Sequence, residues 1–225
     1  MNEAPELLQS FLKHPGESAR VDYKAGVAFD EKSDFALKLA KHCQGFTNSG
    51  GGYIVLGFRE GDDGHPRPDP DLSEAVVKSY DVTRVAQHVN SFLAGQDSID
   101  MTIYKIEHEG RRYPIISIRP FSEQPVFCGK TIYLSDREEI LRQGAVYVRD
   151  REAKTTIVAG PVAWRALIES CIVAKRGEFI KALKVALEPY VKLDLRGADA
   201  TPDQWIEEVR MSVLKRLQSS GGRNV

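Results

Sequence analysis

An α+β fold is what this chain predicts: a mixed or antiparallel sheet with packed helices, followed by a helical C-terminal layer. Three observations carry that expectation. Apolar residues recur at helical spacing near the N-terminus and again from Pro161 onward. Between those stretches, short alternating or continuously apolar runs are bounded by Gly, Pro, Asn and Asp. The 225 residues, 42% hydrophobic and 28% charged, suffice for one sizeable domain with an appendage. The expected division is a core domain over 1–160, a helical extension over 161–219 and a disordered tail over 220–225.

Each element has its own signal. Leu7, Leu8, Phe11 and Leu12 stand at helical spacing from Pro5 to Lys13, and His14-Pro15-Gly16 ends that helix. A strand through Val21 and Tyr23 follows. The next helix carries Phe35, Leu37, Leu39, Ala40, Cys43 and Phe46 on its apolar side, with Asp30 or Ser33 as N-cap. Thr47-Asn48-Ser49-Gly50-Gly51-Gly52 stops it and turns the chain, because Asn and Gly tolerate positive φ. Tyr53 to Phe58 is apolar on both faces and reads as a central strand. Glu60 to Ser73 reads as a surface loop, and Val82 to Leu93 as an amphipathic helix. Ser98 to His108 and Tyr113 to Arg119 alternate around Glu109-Gly110, a hairpin signal. Val126 to Tyr133 and Gly144 to Arg149 add strands around a polar insertion at Ser135 to Glu139. From Pro161 one helical face holds Trp164, Leu167, Ile168, Cys171 and Ile172, continued by Phe179, Ile180, Leu183 and Leu187. Thr201-Pro202-Asp203 opens a last helix, to Leu217.

Composition excludes several classes. No apolar run approaches the roughly 20 residues that span a bilayer, and the acidic N-terminus lacks a signal-peptide core, so the cytoplasm is the expected location. Cys43, Cys128 and Cys171 form no Cys-x-x-Cys pair, which argues against a disulfide framework and a zinc site. His14, His42, His65, His88 and His108 lack metal-ligand spacing and read as surface or helix-end histidines. A formal net charge of -1 means that any nucleic-acid binding rests on a local basic patch or a held metal, not on the field of the whole molecule.

The stretch Glu17-Ser-Ala-Arg-Val-Asp-Tyr-Lys24 carries the most chemistry. Side chains alternate along a strand, so Asp22 and Lys24 share a face and Tyr23 takes the other. A carboxylate beside an amine suits a divalent cation and a scissile phosphate, or else an ordinary ion pair. Arg20, Arg111, Arg112, Arg149 and Arg151 are candidate phosphate contacts, with Lys24 among them. Tyr23, Tyr104 and Phe121 are candidates for stacking on bases. The turn Asn48, Ser49, Gly50, Gly51, Gly52 either exposes N–H groups to a phosphate or lets two elements pack closely.

Taken together, Glu17-Ser-x-x-x-Asp22-Tyr-Lys24, then Phe46-Thr-Asn48-Ser-Gly50-Gly-Gly-Tyr53-Ile-Val-Leu-Gly57, then Gly144-Ala-Val-Tyr147-Val-Arg149 resemble the Schlafen AlbA-type domain over roughly residues 16 to 158. The resemblance implies RNA or DNA as partner, and in some vertebrate members cleavage of transfer RNA by three acids and a divalent metal. By motif position it implies Glu17, Asp22 and Glu60 as catalytic and metal ligands for Mg²⁺ or Mn²⁺, with Lys24 as the phosphate-side cation. Asp62 or Asp63 can stand in for Glu60 as the third ligand. The second acid here is Asp and the third Glu, the reverse of the family pattern. The vertebrate enzymes enclose RNA with two copies of the domain; one copy here implies a homodimer. The expected function is a nucleic-acid-binding protein acting as a metal-dependent endoribonuclease. The alternatives are a non-catalytic binding or regulatory module, as a homodimer or in a bacterial defence or toxin system, and an ATP-binding switch.

Overall fold

The computed structural model describes residues 5–134, 136–150, 152–187 and 211. The chain divides into two compact units, Met1–Cys171 and Ile172–Val225. The first unit holds a four-stranded mixed sheet between helices, which fits the α+β class.

Helix α1 spans Pro5–Lys13. It leads to β1, Val21–Lys24. Helix α2, Asp34–Asn48, starts at the N-cap Ser33, whose hydroxyl accepts from the Ala36 N–H. Strand β2, Gly52–Leu56, follows its end. Gly57 at φ +94° then bends the chain into β3, Phe58–Glu60, which pairs with β4, Pro66–Pro68. The stretch expected as a loop therefore begins with a small hairpin; its prolines hid it, since proline is rare in all but edge strands. Two short helices follow, α3 at Glu74–Ser79 and α4 at Val82–Asn90.

Strands β5, Met101–His108, and β6, Arg111–Ile118, form the expected hairpin. Its turn is two residues, Glu109 and Gly110, both at positive φ, which matches the right-handed twist of the strands. The main sheet runs β1-β2-β6-β5, parallel between β1 and β2 and antiparallel elsewhere. Strand β2 is central, as its apolarity on both faces requires. The β2–β6 ladder stops at Val55 opposite Ile115, because the next residue of β6 facing β2 is Pro114, which has no N–H to give.

The remaining strands are short: β7 at Ile132–Tyr133, β8 at Glu139–Leu141, β9 at Tyr147–Arg149 and β10 at Thr155–Ile157. Of the run expected as a strand from Val126, only Ile132–Tyr133 pairs as one, beside an isolated bridge from Cys128 to Leu93. Helix α5, Gly160–Leu187, passes through Arg176-Gly177 without a break. Its first turns pack Leu167 and Ala163 against Val146 and Val158. The helix expected over 201–217 and the tail over 220–225 lie outside the described residues, apart from Met211, which is helical.

One buried cluster unites both faces of the sheet. Leu8 and Leu12 cover one side, and Ala36, Leu39, Ala40, Cys43 and Phe46 of α2 the other. Burial pushes the Cys43 thiol up to about 12, so it behaves as a small apolar residue.

Candidate nucleic-acid interface

The two motif segments end up on either side of α2, and they do different things. The turn after α2 is a clasp. Asn48 is buried; its amide nitrogen donates to the Val126 and Tyr147 carbonyls at 3.0 and 2.9 Å, and its oxygen accepts from the Val126 N–H at 2.9 Å. Ser49 Oγ accepts from the Arg149 N–H at 2.7 Å, and Thr47 Oγ1 donates to the Arg119 carbonyl at 2.7 Å. The N–H groups of Ser49 and Gly51 both donate to the Phe46 carbonyl, and Gly52 enters the β2–β6 ladder. The N–H groups of Ser49, Gly51 and Gly52 are thus spent within the fold, while Gly50, Gly51 and Gly52 line a groove beside Arg20. The glycines serve close packing: a Cβ at Gly52 would stand 2.3 Å from the Phe46 ring, and one at Gly51 2.6 Å from the Ile118 carbonyl oxygen.

The other segment builds a charged cluster. As alternation requires, Asp22 and Lys24 project from one face of β1, toward α2. Lys24 Nζ lies 2.9 Å from both Asp22 oxygens. The Asp22 side chain is 4% exposed, and the Lys24 side chain 29%. From α2, His42 brings Nδ1 to 3.8 Å from Asp22 Oδ2 and to 3.0 Å from Thr155 Oγ1 on β10. From β9, Arg149 brings Nη1 to 3.7 Å from the same carboxylate oxygen. The Arg149 side chain is 0% exposed, stacks its guanidinium 4.3 Å above the Phe46 ring, and donates weakly to the Ser18 carbonyl at 3.4 Å. The Nε and Nη1 atoms of Arg149 have no hydrogen-bond partner among the described residues, and Asp22 Oδ2 is held by its ion pairs alone.

Electrostatics follow from burial. Burial pushes His42 down to about 4, and Lys24, Arg149 and Lys41 push the same way against Asp22, so the ring is neutral near neutral pH. Burial also lowers Arg149, opposed by Asp22 and Glu17. Lys41 is half-buried, with Nζ 5.5 Å from the centre of the Tyr147 ring. Counting the charges that act on His42 and Arg149, the three cations Lys24, Lys41 and Arg149 stand against the three carboxylates Asp22, Glu17 and Asp150.

The three-acid metal set does not assemble. Glu17 is exposed ahead of β1 and Glu60 is exposed on β3, while Asp22 is buried. Among the described residues no three His, Cys, Asp or Glu side chains come together to hold a metal ion. Asp22 faces Lys24 and Arg149, and a divalent cation placed there would meet their charge at short range. The residues present do not fit Mg²⁺ or Mn²⁺ held by Glu17, Asp22 and Glu60.

The other candidates have settled places. Arg149 is interior rather than a surface phosphate contact. Arg111 is exposed and donates to the Asp69 carbonyl at 3.3 Å, and Arg112 is paired with Glu74. Arg20 donates to the Gly50 carbonyl at 2.8 Å and lines a groove of about 290 Å³ with Tyr53, Ser117 and Arg119. Arg151 lies outside the described residues. Tyr23 is buried, with its hydroxyl on the Phe11 carbonyl, so it is not offered for stacking.

Sequence reasoning missed His42 and misread Arg149, and each had a signal. His42 follows Leu39 by three residues and precedes Cys43, which puts it at the flank of the buried side of α2. Arg149 lies two residues beyond Tyr147, on the same face of β9, and Tyr147 is buried.

A mixed sheet flanked by helices, with these motifs on β1, on the α2–β2 turn and on β9, defines a class of nucleic-acid-associated domains. Residues 17–158 match the family described as Schlafen, AlbA_2, and the chain belongs to that family. No curated protein matches the chain. Among solved structures, the DIP2311 protein from Corynebacterium diphtheriae aligns at 15% identity and a TM-score of 0.43, covering 70% of this chain and 27% of its own length. The N-terminal domain of a putative ATP-dependent DNA helicase RecG-related protein from Nitrosomonas europaea aligns at 20% identity and a TM-score of 0.38, covering 64% of this chain and 89% of its own. Likenesses this distant carry no functional argument. No helix among the described residues is long and apolar enough to cross a membrane.

Proposed function

We propose that this protein binds the phosphate backbone of a nucleic acid, RNA first, as a module that needs no metal. The observation that carries this reading is that cations already occupy the one buried carboxylate of the cluster, Asp22. Lys24 already occupies the carboxylate at 2.9 Å, Arg149 adds a second positive charge and Lys41 a third, while His42 stays neutral. Lys24 and Arg149 disfavour a divalent cation at Asp22, and the partly exposed Lys24 ammonium can meet a phosphate. Lys24 and Lys41 are the cluster's partly exposed cations. Membership of a nucleic-acid-associated family supports the choice of ligand. Binding of this kind is sequence-tolerant and salt-dependent, since each neutralised phosphate releases condensed counterions.

The test is fluorescence anisotropy with labelled transfer RNA and with a DNA duplex, in chelator and in Mn²⁺, across a salt series. Binding should persist in chelator and weaken with salt. Lys24→Ala and Lys41→Ala should each weaken binding on every sequence and lower the salt slope by about 1. Absence of binding at low salt would overturn the reading. So would Mn²⁺-dependent cleavage of the RNA that is abolished in Asp22→Ala.

A further inference from the structure

The sheet order leaves β5 at an edge. Three contacts fix which way its backbone groups point. The Arg119 N–H donates to the Asp100 carbonyl, one residue before β5, at 2.9 Å. His108 stands opposite Arg111 across the two-residue turn. From outside the sheet, the Gln9 amide donates to the Glu107 carbonyl at 2.8 Å. In an antiparallel ladder, successive residues turn their backbone groups alternately toward one neighbour and the other. The even-numbered residues of β5 therefore bond to β6. Met101, Ile103, Lys105 and Glu107 turn N–H and C=O away from the sheet, and among the described residues the Gln9 amide is the partner these groups have.

Protein edges are usually blunted by a bulge, a proline, short length, charged side chains or a covering segment. Strand β5 has no bulge or proline and runs eight residues in unbroken register with β6, so its charges and the Gln9 contact are what guard it. It carries two exposed charges of opposite sign, Lys105 and Glu107, two residues apart on one face.

We propose that β5 pairs with β5 of a second copy, antiparallel about a two-fold axis through Ile106. That register sets Lys105 opposite the partner subunit's Glu107, and Glu107 opposite the partner subunit's Lys105. Tyr104 meets the partner's His108, and Ile106 meets its own equivalent. Opposite charges directly across a sheet attract, and like charges repel. An axis through Lys105 would oppose lysine to lysine, and an axis through Tyr104 would set Lys105 against an isoleucine, so charge selects the register. The Glu107 carbonyl then takes the N–H of the partner's Lys105, and the Gln9 amide is the placeholder that leaves. Each four-stranded sheet continues into its copy, and the contact is self-complementary, as two-fold symmetry demands. This inference stands on the edge geometry and is independent of nucleic-acid binding.

The test is sedimentation equilibrium of the full chain. The wild type should show the mass of two chains. Lys105→Glu and Glu107→Lys should each halve it, and the combined swap should restore it, because the reversed pair attracts again. Lys105→Pro should also halve it while the circular dichroism spectrum is kept, since that N–H points away from β6 and the β5–β6 ladder does not need it. A wild type that stays single at its highest soluble concentration would overturn the proposal. So would a dimer that survives both Lys105→Glu and Lys105→Pro.

Discussion

The clasp at Asn48 and the charged cluster at Asp22 flank the same helix and meet at Arg149, whose backbone N–H is held by Ser49 and whose guanidinium faces Asp22. In the clasp, every Asn48 side-chain group has a backbone partner near 3 Å. In the cluster, Asp22 Oδ2 is shared between Lys24 at 2.9 Å and Arg149 at 3.7 Å, and the Arg149 Nε and Nη1 atoms have no hydrogen-bond partner among the described residues. Buried polar groups are ordinarily satisfied, because an unmade hydrogen bond inside a protein costs about 1–3 kcal/mol. The satisfied segment holds the fold together, and the other leaves buried polar atoms without hydrogen-bond partners. Two motifs of equal prominence in sequence thus differ in how completely their polar atoms are used.

The largest effect that can break this comparison comes from Asn48→Ala. It strands the Val126 N–H and the Val126 and Tyr147 carbonyls, and should lower unfolding free energy by about 4 kcal/mol. Urea denaturation measures the loss. Affinity for RNA per folded molecule should hold; a fully stable variant that has lost binding would reverse the assignment.

Asp22→Asn comes next. It removes the carboxylate from Lys24 and Arg149, and should cost about 3 kcal/mol by leaving buried positive charge unpaired. In the same variant RNA should bind at least as tightly, because a negative charge beside Lys24 and Arg149 is removed. A metal-holding aspartate predicts the opposite, so anisotropy on this one variant sharpens the comparison most. Gly52→Ala should cost about 2 kcal/mol by driving a Cβ into the Phe46 ring, with RNA affinity unchanged.

The smallest effect is a pH dependence. His42 takes up a proton at about 4 in the fold but near 6.5 in the unfolded chain. Between those values the unfolded state binds more protons, so stability falls as pH falls. From about pH 7 to about pH 5 the loss from this group should be about 2 kcal/mol. His42→Gln should flatten that part of the pH profile, read as the shift in the urea midpoint; an unchanged profile would show that His42 is not the group responsible.

Much of this was legible in the residues. Helix α1 ends where His14-Pro15-Gly16 says it must, and Ser33 caps α2 as its hydroxyl and position suggest. The shared face of Asp22 and Lys24 followed from strand alternation alone, and it holds at 2.9 Å. Other features were hidden by composition: the β3–β4 hairpin behind Pro66 and Pro68, and α3 behind its six-residue length. The charged cluster was half visible. Its β1 members announced themselves, but His42 and Arg149 reach Asp22 from 20 and 127 residues further along the chain.

What the linear order of residues settled by itself was local: periodicity sets which side chains share a face of a helix or strand, and Gly, Pro, Asn and Ser mark where those elements begin and stop. What only the tertiary structure decided was which acids meet which cations. Glu17, Asp22 and Glu60 carry the right chemistry for a metal, yet they do not come together as one group, and Lys24 and Arg149 face Asp22 instead. Charge interactions depend on distance and on the surrounding dielectric, and both come from packing between elements, which no spacing along the chain encodes.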